Sequence, residues 1–330
     1  MDAAENRKLK FLYNVSGINS RYSPIADYSI QMPEWKFYPQ NEKLDPFPSL
    51  ELRMQWYQLE AAPLSVEAIR NCAEGIIHTN EITHLITVSC TGMSAPGLDL
   101  QVMELLDLPK NIFRTSLNFM GCYAAIHALK LADAICKTDT KARVMIVCTE
   151  LCTLHFQKEA TLDNIASTLL FGDGSAAALV THDTFHIKGL NLKGFYSEVV
   201  SKGKKDMAWE LSSTGFLMTL SGYVPELIEE DFEQLVQRAL QHAGVHKEDI
   251  AQWCIHPGGK RIVEAIQKSL GLKEDILQAS YKVLQEYGNM SSPTLLFVLK
   301  ELMQEKISGS VFAAAFGPGL TMETFAAVYE

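Results

Sequence analysis

Three short segments bordered by glycine hold side chains able to do covalent chemistry: Gly121-Cys122-Tyr123, His256-Pro257-Gly258 and Gly288-Asn289-Met290. A cysteine thiolate is both a good nucleophile and a good leaving group, so it can take up an acyl group and pass it on. Cys122 stands where a loop, residues 115–120, enters an Ala-rich helix. The partial positive charge of a helix N-terminus favours thiolate over thiol. Taken alone, such a cysteine is more often a buried structural thiol. His256 closes an apolar run and precedes a turn stiffened by Pro257. Strand ends in α/β sheets are where ligands bind, although a hydrogen-bonded histidine there is an equally ordinary outcome. Asn289 either caps the helix that follows it or points its amide into a cavity as a donor.

The three stand in the order Cys, His, Asn, with 134 and then 33 residues between them. Papain-like proteases share that order. Their Cys-Gly-Ser-Cys-Trp signature is absent here, and so is their disulfide-rich context.

To hold these residues the chain must supply a scaffold, and its hydrophobic pattern points to one. Apolar runs at 84–90, 143–149, 174–181, 251–256, 310–316 and 322–329 read as buried strands, with 185–200 extended. Helical spacing covers 51–78 (with a break at Pro63), 97–106, 119–136, 225–243, 259–270 and 291–305. Residues 1–50 read as irregular, and Pro33, Pro39, Pro46 and Pro48 make 32–49 a long surface excursion. Strands alternating with helices predict an α/β fold with buried sheets. The same grammar on both sides of residue 185 suggests an internal duplication, although no residue-level repeat is visible.

Composition narrows the class. The chain has 330 residues, 47% hydrophobic and 21% charged, with net charge −10. An acidic surface disfavours nucleic acid and anionic membranes as partners. The seven cysteines have no CxxC pair and no metal-ligand spacing, and read as free thiols in a reducing cytoplasm. Residues 1–10 are polar and charged, so no secretory leader is expected, and no apolar run approaches the roughly 20 residues of a membrane span. The loops Gly172-Asp173-Gly174 and Gly317-Pro318-Gly319 match no phosphate-binding pattern.

Six segments in order then resemble one family, the type III polyketide synthases related to chalcone and stilbene synthases, with bacterial members the nearer likeness. They are RMQWYQLEAAPLSVEA at 53–68, the Gly121-Cys122 elbow, residues 171–176, His256 to Gly259, Asn289 to Ser292, and FGPGLTMET at 316–324. The resemblance runs from Ser16 to Glu330. It implies an α/β thiolase-like fold: two similar βαβ-containing halves, 1–185 with the nucleophile and 186–330 with His and Asn, in a layered α-β-α-β-α core. It implies that Cys122 accepts an acyl group from acyl-CoA. His256 and Asn289 then polarise the thioester and stabilise the enolate left when malonyl-CoA loses CO₂. No metal or redox cofactor is implied. Phe171 matches the first of two gating phenylalanines, and Met218 replaces the second. Cys152 and His155 fall where chalcone synthases carry threonines, which implies a narrowed cavity and a pyrone, resorcinol or related phenol as product. His155 as a second acid–base group is the alternative. Ser291 matches a cavity position, and Arg21 the basic mouth that binds CoA, with Lys260 and Arg261 as possible helpers. A homodimer contacting through residues 93–97 is implied too. Relatives carry a further strand and helix ahead of the Ser16 motif, where this sequence has 15 residues: either the element is absent, with a less stable first sheet and a looser CoA mouth expected, or the start lies upstream. Two alternatives share the Cys-His-Asn set: a ketoacyl synthase that uses acyl carrier protein, and a non-catalytic thiolase-like subunit.

Overall fold

The computed structural model describes residues 3–186, 188–273, 275–304 and 309–329. The helices are α1 (Ala3–Val15), α2 (Leu50–Ala73), α3 (Leu98–Leu105), α4 (Ala124–Thr138), α5 (Leu162–Leu170), α6 (Val224–Ala243), α7 (Lys260–Ser269), α8 (Gln278–Tyr287) and α9 (Pro293–Gln304). Strands β1 (His84–Ser89), β2 (Phe113–Asn118), β3 (Arg143–Leu151) and β4 (Asp173–Thr181) form one sheet in the order β2-β1-β3-β4. A second sheet, β5-β10-β9-β8, uses β5 (Leu190–Val199), β8 (Ile250–Ile255), β9 (Gly309–Gly317) and β10 (Thr321–Tyr329). Between them in sequence, β6 (Met207–Ser212) and β7 (Gly215–Leu220) make a separate hairpin.

The two sheets repeat one motif. β1 runs parallel to β3, and β3 antiparallel to β4. Likewise β8 runs parallel to β9, and β9 antiparallel to β10. Beyond this, β2 extends the first sheet and β5 extends the second at the opposite edge. Parallel strands need both faces covered, which is why they read as unbroken apolar runs. The inner faces meet on α4 and α9. Ala124, Ala125, Ile126, Ala128, Leu129 and Ala132 of α4 pack with Leu295 and Val298 of α9 against residues of both sheets. The small side chains of α4 let it lie deep between the sheets. Outside, α2 and α3 cover the first sheet, and α6 and α7 the second. The layers are therefore α-β-α-β-α, the thiolase-like arrangement.

Several expectations need correction. α2 runs through Pro63 without a break. Its buried stripe, from Tyr57 through Ala61, Ala62, Ser65 and Val66 to Ile69, spans both sides of the proline, and packing outweighs a local cost of about 3 kcal/mol. α4 starts at Ala124, not 119, because Phe119 and Gly121 hold left-handed φ values of 58° and 85°. Residues 3–15 are helical, and the 32–49 excursion is no plain surface loop. Phe37 and Tyr38 are core residues, held where the Asp27 carboxylate accepts N–H bonds from Lys36, Phe37 and Tyr38 at 2.8–2.9 Å. β2, α5, α8 and the β6–β7 hairpin were not anticipated, although α5 and α8 carry apolar residues at helical spacing. Position 305, the expected end of α9, lies outside the described residues.

Candidate active site

Both middle helices aim their N-termini at the same place. Cys122 precedes α4, and Asn289, Ser291 and Ser292 precede α9. The other contributors follow β1 and β8: Cys90 and Thr91 after the first, His256 after the second. The candidate groups thus gather where strands end and middle helices begin, as the repeat of the fold dictates.

Each turn is pinned. The Gly121 N–H donates to the Cys90 sulfur at 3.0 Å. Cys122 Sγ lies 3.6 Å from Ser291 Oγ. The Ser291 N–H donates to Asn289 Oδ1 at 2.8 Å, closing a turn that suits the left-handed φ of 59° at Ser291. Asn289 Nδ2 donates to the Gly258 carbonyl at 3.2 Å, which joins the asparagine turn to the histidine turn. The Gly317-Pro318 loop closes over the Cys122 turn: a Cβ on Gly121 would stand 2.2 Å from Pro318 Cδ, and one on Gly317 2.5 Å from the Tyr123 ring.

Beneath the site lies Glu150, a residue the sequence reading missed. It is fully buried, and Oε2 accepts from the Cys90 N–H and Thr91 Oγ1, both at 2.8 Å. Oε1 accepts from Ser292 Oγ at 2.6 Å. Burial raises its pKa, and these donors oppose the rise. One carboxylate therefore ties the loop behind Cys122 to the head of α9. The available signal was an acid inside an apolar strand, which must find partners.

Electrostatics at Cys122 depart from expectation. Burial pushes its thiol up to about 11, against the helix-end effect, with the Ser291 hydroxyl drawing it the other way. His256 is 1% exposed, and burial lowers its pKa to about 3. Neither of its ring nitrogens has a hydrogen-bond partner among the described residues. An unpaired buried polar atom costs about 1–3 kcal/mol, so this ring is kept ready for a partner.

Cys122, His256, Asn289, Phe171, Met218, Cys152, His155, Ser291 and Arg21 all line one cavity of about 390 Å³. Phe171 is held by a strand-like bridge to Asn289, and Met218 lies on β7 opposite Trp209. Cys152 and His155 are buried in the turn after β3. His155 is not an available acid or base. Its Nδ1 accepts from the Phe216 N–H at 3.0 Å, so the proton sits on Nε2, which bonds the Thr91 carbonyl at 2.7 Å. Burial lowers its pKa to about 3. Arg21 reaches the cavity but also serves the fold. Its Nη1 donates to the Thr168 carbonyl and, at 3.5 Å, to that of Phe171, at the end of α5. Lys260 and Arg261 pair with Glu264 and Glu226.

Family models match the chain over nearly all its length: chalcone and stilbene synthases, N-terminal domain, over residues 2–184, and the C-terminal domain over 191–328. A protein described as alpha-pyrone synthesis polyketide synthase-like Pks18, from Mycobacterium tuberculosis, is 28% identical, covering 98% of this chain and 82% of that one. The crystal structure of PKS-I from the brown alga Ectocarpus siliculosus superposes with TM-score 0.93 at 27% identity, over 99% of this chain and 90% of that one. That of 1,3,6,8-tetrahydroxynaphthalene synthase from Streptomyces coelicolor A3(2), a bacterial type III polyketide synthase, gives 0.87 at 25%, over 100% and 91%.

Proposed function

The chain belongs to the chalcone and stilbene synthase family, the type III polyketide synthases, and from that premise we propose that it loads an acyl group from acyl-CoA onto Cys122 and extends it with malonyl-CoA. The observation that carries the assignment of residues is the buried His256 ring, with both nitrogens unpartnered, in one cavity with Cys122 and Asn289. Cys122 Sγ attacks the thioester carbonyl, its proton passes to His256, and CoA leaves as the thiol. Malonyl-CoA then loses CO₂. The negative charge that develops on the thioester oxygen meets the His256 N–H and the Asn289 Nδ2–H not engaged by Gly258. The enolate carbon attacks the acyl carbon on Cys122, and the thiolate departs. Decarboxylation itself supplies the carbanion, so the chemistry calls for no metal or redox cofactor.

The division into a nucleophile half, 1–185, and a half bearing His256 and Asn289, 186–330, is part of this proposal. So is the product class of pyrones, resorcinols or related phenols, which the Pks18 description supports by analogy. Phe171, Met218, Cys152 and Ser291 shape the cavity, and Arg21 stands at its edge for the CoA arm. A homodimer is favoured by β2, an outer strand exposed along most of its length, with Phe113 at its start and Met93 of the 93–97 loop open to solvent. No described helix is long and apolar enough to cross a membrane, which suits a cytoplasmic enzyme. Turnover of free malonyl-CoA with an acyl-CoA starter, followed by mass spectrometry of products, tests the function. A strict requirement for malonyl-loaded carrier protein would favour the ketoacyl synthase instead.

A further inference from the structure

Asp173 opens β4 directly after Phe171 and Gly172, and the condensation chemistry gives it no task. It is buried behind two residues that line the cavity, Ser23 and Thr153. A buried carboxylate needs donors, and these residues supply them. Oδ1 accepts the Thr153 N–H at 2.8 Å, and Oδ2 accepts the Thr153 hydroxyl at 2.5 Å. The second distance is that of a charge-assisted O–H···O⁻ bond. Thr153 Oγ1 also lies 2.7 Å from Ser23 Oγ. The single Thr153 hydroxyl hydrogen goes to Asp173, so Ser23 must donate this second bond. Ser23 Oγ in turn accepts the Ile25 N–H at 3.1 Å. A hydroxyl oxygen has a second lone pair, and on the cavity wall that pair is left for an occupant. The turn itself is held by the Tyr28 hydroxyl, which donates to the Thr153 carbonyl at 2.7 Å. Cys152, next in sequence, feels the charges of both Asp173 and Cys122, so this hydroxyl chain and the nucleophile face one space.

We propose that Ser23 is the base for lactone-forming ring closure of the extended chain, with Thr153 and Asp173 as positioning residues that turn its hydrogen inward and take up the proton it receives. The enol O–H of a 3,5-dioxo thioester gives its proton to Ser23 Oγ. Ser23 passes its own hydrogen to Thr153, and Thr153 passes its own to Asp173. The enol oxygen attacks the thioester carbonyl, the C–S bond breaks, and the thiolate leaves and takes a proton from solvent. Reversal of the hydroxyl chain returns the proton on Asp173 to solvent. Burial raises Asp173 to about 7, Thr153 and Ser23 draw it down, and the Glu150 charge on β3 adds to the rise. The groups around it are Tyr28, Tyr38 and Cys152, all pushed up by burial and neutral at pH 7, and Arg53, whose charge acts on both tyrosines. A base with this value is near the optimum for proton transfer at neutral pH.

The inference deepens the condensing reading and rests on it for the identity of the chain that closes. Its test uses a synthetic 3,5-dioxoacyl thioester of N-acetylcysteamine, so that pyrone formation is followed without any condensation. Wild-type enzyme should accelerate closure, with kcat rising through a midpoint near pH 7 and level above it. Ser23→Ala, Thr153→Val and Asp173→Asn should each lower kcat about 100-fold at unchanged KM and lose the pH step. Thr153→Ser keeps the hydroxyl and should retain both. Ser23 is only half-buried, so Ser23→Ala judges the relay even where Asp173→Asn fails to fold. No acceleration by wild type, wild-type kcat in Ser23→Ala, or a pH step that survives in folded Asp173→Asn would each overturn the proposal. Pyrone formed from the thioester by an enzyme that cannot condense acyl-CoA with malonyl-CoA would refute the functional reading and uphold the relay.

Discussion

At Cys122 the charge of the helix end and the burial of the loop pull the thiol in opposite directions, and burial is the stronger. The resting pair is thiol and neutral imidazole, with values near 11 and 3. Iodoacetamide labelling of Cys122 should therefore keep accelerating as pH rises beyond 9, and a plateau below pH 8 would reveal a preformed thiolate instead. His256 also links stability to acid. Its folded value lies below the ordinary 6.5, so its contribution is complete above pH 6.5 and is lost as pH falls toward 3. The slope per histidine is at most about 1.4 kcal/mol per pH unit. Asp173, raised to about 7 by burial, acts in the opposite sense, losing its contribution as pH rises through 7. Melting curves of His256→Gln should gain on wild type steadily between pH 6.5 and 4, and a constant difference would show the shift to be absent. Cys122, His256 and Asn289 were legible in the sequence because their spacing and bordering glycines recur as a set. Glu150 and the engaged nitrogens of His155 were not, because their partners come from segments far apart in sequence.

The elements depend on close approach more than on propensity. α4 can start at Ala124 only because the loop before it turns through a left-handed Gly121 pressed against Pro318. Gly121→Ala adds both strain and a clash, and should cost about 1–3 kcal/mol of stability and most of the loading activity. Equal melting temperature and normal loading would contradict this. In α2 the proline removes a backbone donor on an exposed turn, so Pro63→Ala should raise thermal stability, by up to about 3 kcal/mol. Buried strands and amphipathic helices were visible as apolar runs and periods. The hairpin and β2 were not, since one is held by an aromatic cluster and the other leaves most of its side chains in solvent.

At the scale of the molecule, two sheets of matching pattern enclose two helices and bring Cys122 from the first half and His256 and Asn289 from the second to a shared cavity. The duplication was legible only as alternating grammar, because the matching of the halves lies in strand order and not in residues. β2 leaves an open edge, and Phe113→Glu should convert a dimer to monomer in analytical ultracentrifugation. A monomeric wild type would refute the dimer. The most direct test of the whole account is intact-mass analysis with peptide mapping after mixing the enzyme with a fatty acyl-CoA, then chasing with malonyl-CoA. The acyl adduct should map to Cys122, disappear on the chase as extended product forms, and be absent in Cys122→Ala. An adduct on another residue, or condensation surviving Cys122→Ala, would contradict it.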